Sequence, residues 1–125
     1  GRYLITINTA NNTIKFEPVN VYMIGDATPN GWNMGTLTPM QKNGSIYTWT
    51  GNLTAGSFKF TKFNTTWCDG TELVAMTQDQ SISNTSFQER IKCAGGDATD
   101  LKWKVNSAGN HTITLNLDTN TLNIQ

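Results

Sequence analysis

Charge is scarce in this sequence. Only 14% of the 125 residues are charged, and nine basic and nine acidic side chains give a net charge of zero. The charges are scattered, whereas a nucleic-acid groove or a site for an anionic membrane surface needs a basic patch. The sequence therefore predicts no nucleic-acid partner.

Long apolar runs, helical periodicity and cysteine clusters are also missing. No apolar run is long enough to span a membrane, and no stretch keeps a 3.6-residue apolar period for three turns, so we expect little helix. The two cysteines, Cys68 and Cys93, show no metal-site spacing, and neither a metal nor a cofactor is predicted. They are candidates for a disulfide in an exported protein; two free thiols are the alternative.

What the sequence does contain is a series of short strand patterns separated by polar turns. These segments are RYLITIN, TIKF, VNVYMIG, SIYTWTG, GSFKF, LKWKV, HTITLNL and TLNI. Short strands at this spacing predict an all-β, antiparallel sandwich of two sheets. Residues 68–100 are less regular and are predicted to form a long loop region with one or two short strands.

The two ends of the chain resemble each other. GRYLITINTANNTIKF and GNHTITLNLDTNTLNI align without gaps at an offset of 108 residues. We predict that residues 1–17 are the closing hairpin of a preceding repeat, or a linker, and that residues 18–125 form the domain proper. The alternative is that two hairpins of one sandwich look alike because hairpin chemistry is limited.

The tryptophans and lysines are the residues that suggest a function. Trp49 and Trp103 alternate within strand patterns and are predicted to lie in the core. Trp32 and Trp67 follow loop-forming stretches, where exposed indoles need something to cover them. In GSFKF, Phe58 and Phe60 should point inward and Lys59 outward. The alternative for Trp32 and Trp67 is that both cap the sandwich.

A sugar ring would cover such indoles well. Its C–H face packs on an aromatic ring, while its hydroxyl groups need hydrogen-bond partners. The candidate donors are Lys59, Lys62, Asn33 and Asn64. The sequence therefore predicts a polysaccharide site built from Trp32 and Trp67 with these four residues around it.

Catalysis is not predicted. The single histidine, His111, lies on an alternating strand beside apolar positions, and the carboxylates are scattered, whereas a glycosidase needs two of them across a cleft. The sequence therefore favours a binding module over an enzyme.

Three stretches resemble a known family: VYMIGDATPNGWNMG, YTWTGNLTAGSFKF and TDLKWKVNSAGNHTITLNLDTNTLNI. They are similar to the repeats of SusE and SusF, surface lipoproteins of the starch utilisation system in Bacteroidetes. The resemblance implies tandem immunoglobulin-like sandwiches at the bacterial outer membrane that bind starch without cleaving it. It also implies that Trp32, Lys59 and Trp67 contact the glycan. The stretch TTWCDGTELVAM, with its cysteine, departs from the family pattern.

The expected ligand is thus a polysaccharide or oligosaccharide, with an α-glucan favoured. The parent protein is expected to join an outer-membrane glycan-uptake complex, and the chain itself to be a monomer. Two alternatives stay open: a ligand-free spacer domain in a tandem surface protein, and a module for a plant β-glycan such as xylan or xyloglucan. An adhesin for protein would need a larger apolar patch.

Overall fold

The computed structural model describes the backbone of residues 3–8, 13–18, 20–65, 70–91 and 101–125, and the side chains of the last three ranges. These residues form thirteen strands and no helix. The strands are β1 (Tyr3–Asn8), β2 (Thr13–Pro18), β3 (Tyr22–Ile24), β4 (Thr38–Pro39), β5 (Gln41–Asn43), β6 (Ile46–Leu53), β7 (Gly56–Thr61), β8 (Thr71–Ala75), β9 (Gln80–Ser81), β10 (Phe87–Ile91), β11 (Trp103–Val105), β12 (Gly109–Asn116) and β13 (Thr121–Ile124). The predicted all-β sandwich is confirmed.

Two sheets make up the sandwich. The small sheet has four antiparallel strands in the order β13-β12-β6-β5. The large sheet has seven strands, with the path β10-β8-β7-β11-β9 and with β3 and β4 added through a β3–β7 pairing. All of its pairings are antiparallel except that of β11 with β9. Because β7 pairs with β3, β8 and β11, the GSFKF stretch is the central strand of the large sheet.

The core between the sheets is built around aromatic side chains. Phe58, Phe60 and Trp103 are fully buried, and their ring centroids lie 5.6–5.8 Å apart. The indole N–H of Trp103 donates to the carbonyl of Asn84 at 3.0 Å, so its one polar group is satisfied. Tyr47, Ile113 and Leu115 of the small sheet complete this core. The inward placement predicted for Phe58, Phe60 and Trp103 is confirmed.

The outer faces of the two sheets differ. On the large sheet, the residues that alternate with the core positions are also buried, including Ile24, Thr61 and Val74. On the small sheet, the pairs Thr48–Thr114 and Thr50–Thr112 lie on the outer face and are half-buried or exposed. The large sheet is thus buried on both faces at these central positions, although Lys104 on β11 is exposed, whereas the small sheet shows the one-sided pattern usual for antiparallel sheets.

Residues 68–100 contain more strand than the sequence suggested. Three strands, β8, β9 and β10, lie in this region, where one or two were predicted, so the prediction was wrong in number. Their connection is held by the buried side chain of Gln80. Its carbonyl accepts from the amides of Met76 and Thr77, and its amide donates to the carbonyls of Asn84 and Ser86. These strands were hard to predict because the Gln80 side chain makes hydrogen bonds to the backbone that neighbouring strands usually make.

The first two strands pair with each other in register from Tyr3↔Pro18 to Asn8↔Thr13. They form a sheet of their own, and within the described ranges neither pairs with a strand of the sandwich. The division into residues 1–17 and 18–125 stays a prediction.

Candidate functional site

Trp32 lies in the loop of residues 25–37, which connects β3 to β4. The loop begins at Gly25, whose φ is +142° and whose Cα approaches β7 so closely that a Cβ there would fall 2.0 Å from the carbonyl oxygen of Ser57. Only glycine tolerates both conditions. The amide of Gly25 donates to the carbonyl of Gly31 at 3.1 Å, and the Thr28 hydroxyl donates to the Gly25 carbonyl at 2.7 Å. The turn just before Trp32 is therefore fixed by the strand beneath it.

The Trp32 indole is half-buried, and the ammonium of Lys102 lies over its ring. The ammonium of Lys102 is 5.2 Å from the ring centroid, within the range of a cation–π interaction. Lys102 immediately precedes β11 and was not among the predicted site residues. The alternation in LKWKV predicted only that Trp103 lies in the core. Nothing in the local sequence links Lys102 to the Trp32 loop, which lies seventy residues earlier.

Asn64 has a different role from the predicted one. Its side-chain oxygen accepts from the amides of Gly35 and Leu37, at 3.1 Å and 3.0 Å, and its amide donates to the Gly35 carbonyl at 3.4 Å. These bonds tie the second half of the Trp32 loop to the segment that follows β7. Asn64 thus positions the loop, and its polar atoms are already engaged.

Asn33 is exposed beside Trp32. Its side-chain amide donates to the Asn30 carbonyl at 3.0 Å, and its own carbonyl accepts from the amide and hydroxyl of Thr36 at 3.0 Å and 3.1 Å. Among the described residues the side-chain oxygen of Asn33 accepts no hydrogen bond, so it can accept one from water or a ligand. Its predicted place at the rim of the site is compatible with this geometry.

Lys59 was predicted to be exposed, and this is wrong. It does face away from Phe58 and Phe60, as alternation requires, but its exposed fraction is 0%. Its ammonium lies 2.8 Å from Oε2 of Glu72, which is itself buried. The outer face of the large sheet is covered, so a lysine there can stay charged only beside a carboxylate. In this arrangement Lys59 does not reach a ligand at the surface.

Lys62 is closer to the surface but is also paired. Its ammonium donates to Oε1 of Glu89 on β10 at 2.6 Å, and the two side chains are 15% and 48% exposed. The structure thus pairs each lysine of FKFTKF with a glutamate of the large sheet. The lysine that it brings to Trp32 is Lys102.

Three predicted residues lie outside the described residues: Trp67, Cys68 and Cys93. The second aromatic platform and the disulfide therefore stay predictions. Trp49, predicted to be core, packs against the core only in part and is half-buried.

Three carboxylates and the histidine of the described ranges have structural contacts. Asp26 accepts from the Ser57 amide at 2.7 Å, Glu72 and Glu89 pair with lysines, and His111 Nδ1 lies 3.1 Å from the Gln125 carbonyl oxygen. In the part of the chain that the structure describes, no group of three or more His, Cys, Asp or Glu could hold a metal ion. The same residues include no helix long and apolar enough to cross a membrane.

Comparison of the chain with models of known protein families, with curated proteins and with solved structures found no match. The resemblance to SusE and SusF is therefore carried by the quoted sequence motifs alone.

Proposed function

We propose that this chain is a non-catalytic module that binds a neutral polysaccharide, with an α-glucan such as starch favoured. The observation that carries the proposal is the setting of Trp32. A half-buried indole is presented by a loop that hydrogen bonds fix at both ends, with the Lys102 ammonium over one face of the ring and the other face left for a sugar. Rigid aromatic platforms with polar groups at the edge suit sugar rings, because little order is lost on binding.

The roles within the site follow from the contacts. Trp32 is the platform for the C–H face of a pyranose, and Lys102 is the donor to its hydroxyls. Asn33 is a rim residue. Asn64 supports the site through its hydrogen bonds to the Trp32 loop, and Lys59, paired with Glu72 inside the large sheet, has no direct role in binding. Trp67 is proposed as a second platform from its place in a loop-forming stretch of the sequence and from the resemblance.

The cellular location of the parent protein is proposed from the resemblance to SusE and SusF. The parent protein would be a lipoprotein at the bacterial outer membrane, working in a glycan-uptake complex. A helical α-1,4-glucan is favoured because two indoles set at an angle would fit its curved face, whereas a flat β-glycan would need coplanar rings.

Retention during native electrophoresis tests the proposal. Gels would be cast with amylopectin, xylan, xyloglucan or mixed-linkage β-glucan, and the wild-type chain compared with Trp32→Ala and Lys102→Ala. Lys104→Ala is the matched control, because Lys104 is an exposed lysine on the same strand segment. We expect amylopectin to retard the wild type and the Lys104 variant, Lys102→Ala less, and Trp32→Ala least.

Other outcomes would point elsewhere. Retardation by xylan or xyloglucan with the same ranking of variants would keep the site and change the glycan. If no glycan retards the wild type or any variant, the ligand-free spacer is supported and the proposal is overturned.

A further inference from the structure

We propose a second sugar-binding site on this domain, in a groove beside Trp49, separate in its residues from Trp32 and Lys102. The groove has a volume of about 490 Å³, within the roughly 300–1,000 Å³ typical of small-molecule sites. The start of the 25–37 loop, the second half of β6 and the turn after it enclose it. Its lining residues are Ala27, Thr28, Pro29, Trp49, Thr50, Gly51, Asn52 and Thr54.

The position of the Trp49 ring depends on a glycine. Trp49 lies on the inner face of β6, paired with Ile113 of β12, and Gly51 follows two residues later on the same face. A Cβ on Gly51 would fall 2.6 Å from Cζ2 and 2.9 Å from Cη2 of Trp49. The indole therefore lies over the strand in the space that a side chain at residue 51 would fill. This holds the ring at the edge of the core and leaves part of it lining the groove.

The polar edge of Trp49 is available to a ligand. Trp103 satisfies its indole N–H with the Asn84 carbonyl. The indole N–H of Trp49 makes no hydrogen bond within the described residues, and it is not among the buried polar atoms that lack a partner. It is therefore accessible to solvent on a residue that lines the groove. A tryptophan N–H that is accessible to solvent and makes no hydrogen bond within the protein can donate to a ligand.

The groove lining indicates the chemistry of the ligand. No side chain that lines it carries a charge. The exposed hydroxyl of Thr54 donates to the Asp26 carbonyl at 3.1 Å, which leaves its oxygen free to accept, whereas the Thr28 hydroxyl is buried and bonded to the Gly25 carbonyl at 2.7 Å. The exposed amide of Asn52 adds donors and an acceptor. An aromatic surface with neutral donors and acceptors around it matches an uncharged sugar ring rather than a phosphate, a carboxylate or a basic peptide.

This inference extends the proposed function by a second site but does not depend on Trp32. If both sites bind one glycan chain, the second contact becomes intramolecular and the apparent affinity for long chains exceeds that for short ones. If only one of them binds, that gain is absent.

Indole ¹H–¹⁵N correlation spectra of the full chain test the site. Four tryptophans give four Nε1–H signals, assigned with single Trp→Phe variants, and each titration would use maltoheptaose, cellohexaose or xylohexaose. We expect the Trp49 signal to shift with at least one of these sugars. The buried signal of Trp103 is the internal reference and should not move.

A pair of glycine variants checks that the ring position matters. In Gly51→Ala the new methyl group displaces the Trp49 ring, so we expect the shift of its signal to require at least ten times more sugar. Gly109→Ala is the matched control, since Gly109 also lies on the inner face of the small sheet and its Cβ would have no neighbour closer than 3.8 Å. It should titrate like the wild type. Equal titration of both variants would overturn the proposal.

The spectra separate this inference from the proposed function. A shift of Trp32 without Trp49 would overturn the second site and leave the first. A shift of Trp49 without Trp32 would support the second site and overturn the first, and no shift at either would overturn both. A Trp49 signal that moves with protein concentration alone would assign the groove to a second copy of the chain and overturn the sugar proposal.

Discussion

Lys59 and Lys62 are three residues apart in the sequence and lie in two different regions of the large sheet. Lys59 is in its middle, fully buried, with its ammonium 2.8 Å from a buried carboxylate oxygen of Glu72. Lys62 follows the end of β7 and pairs at 2.6 Å with Glu89, which is half-exposed on the outer strand β10. The distances are similar, but the surroundings of the two pairs are not.

The comparison shows that strand alternation gives the direction of a side chain and not its exposure. Both lysines looked like surface residues because lysine is rarely buried. Lys59 is nevertheless fully buried, and the Glu72 carboxylate beside its ammonium offsets the cost of burying it. The contribution of a lysine–glutamate pair to the free energy of unfolding therefore depends on how deeply the pair is buried.

The largest expected effect is on the buried pair. Glu72→Ala should lower the free energy of unfolding by about 3–5 kcal/mol, because it removes the carboxylate that lies 2.8 Å from the fully buried Lys59 ammonium. Guanidinium denaturation at neutral pH measures this. Glu89→Ala is the control at the outer pair and should cost about 0–1 kcal/mol. An equal decrease in the free energy of unfolding for the two variants would contradict the claim that burial sets the contribution of each pair.

A double replacement sharpens the same comparison. Lys59→Met together with Glu72→Leu removes both charges and keeps comparable volume, so the free energy of unfolding should stay near the wild-type value or rise by about 1–4 kcal/mol. The same denaturation experiment applies. A double variant as unstable as Glu72→Ala would show that the pair is needed for more than mutual compensation. It should also keep glycan binding, since neither residue reaches the surface.

The next largest effect concerns the connection from β8 to β10. Gln80→Ala should cost about 2 kcal/mol, because the amide of Met76 and the carbonyls of Asn84 and Ser86 lose partners inside the protein. Thermal unfolding would measure the change. Gln41→Ala, at an exposed position on β5, is the control and should change stability by less than about 0.5 kcal/mol. A Gln80 variant as stable as this control would count against the hydrogen-bond network.

The smallest stability effect is expected at the Trp32 loop. Asn64→Ala removes the acceptor for the amides of Gly35 and Leu37 and should cost about 1 kcal/mol. Because the loop is then less ordered before binding, glycan affinity should also fall, by about three- to ten-fold if 0.7–1.4 kcal/mol of ordering moves to the binding step. Asn123→Ala, exposed on β13, is the control for both measurements. Wild-type affinity in the Asn64 variant would show that the loop needs no such anchor.

Much of the fold could be predicted from the sequence because its strands follow simple alternation. SIYTWTG, GSFKF, LKWKV and the final hairpin all appear as strands near the predicted places. β8, β9 and β10 were less visible. β8 is buried on both faces and so does not alternate, β9 has two residues, and the turn chemistry between them is supplied by Gln80.

The candidate site was predictable only in part. The Gly- and Pro-rich composition around Trp32 identified the loop and its half-exposed indole. Lys102 could not be found, because its proximity to Trp32 comes from the pairing of β11 with β7 and of β7 with β3. Trp49 was assigned to the core from alternation alone. Its partial exposure depends on Gly51, which lets the ring lie along the strand.

Calorimetric titration of maltoheptaose into the wild type and Trp32→Ala tests the central claim most directly. A single site of this kind with a dissociation constant near ~100 µM corresponds to about −5.5 kcal/mol, and losing ~2 kcal/mol should weaken binding roughly 30-fold. The account predicts this loss for Trp32→Ala with the melting temperature nearly unchanged, and no loss for Lys104→Ala. Unchanged affinity in a folded Trp32→Ala variant would contradict it.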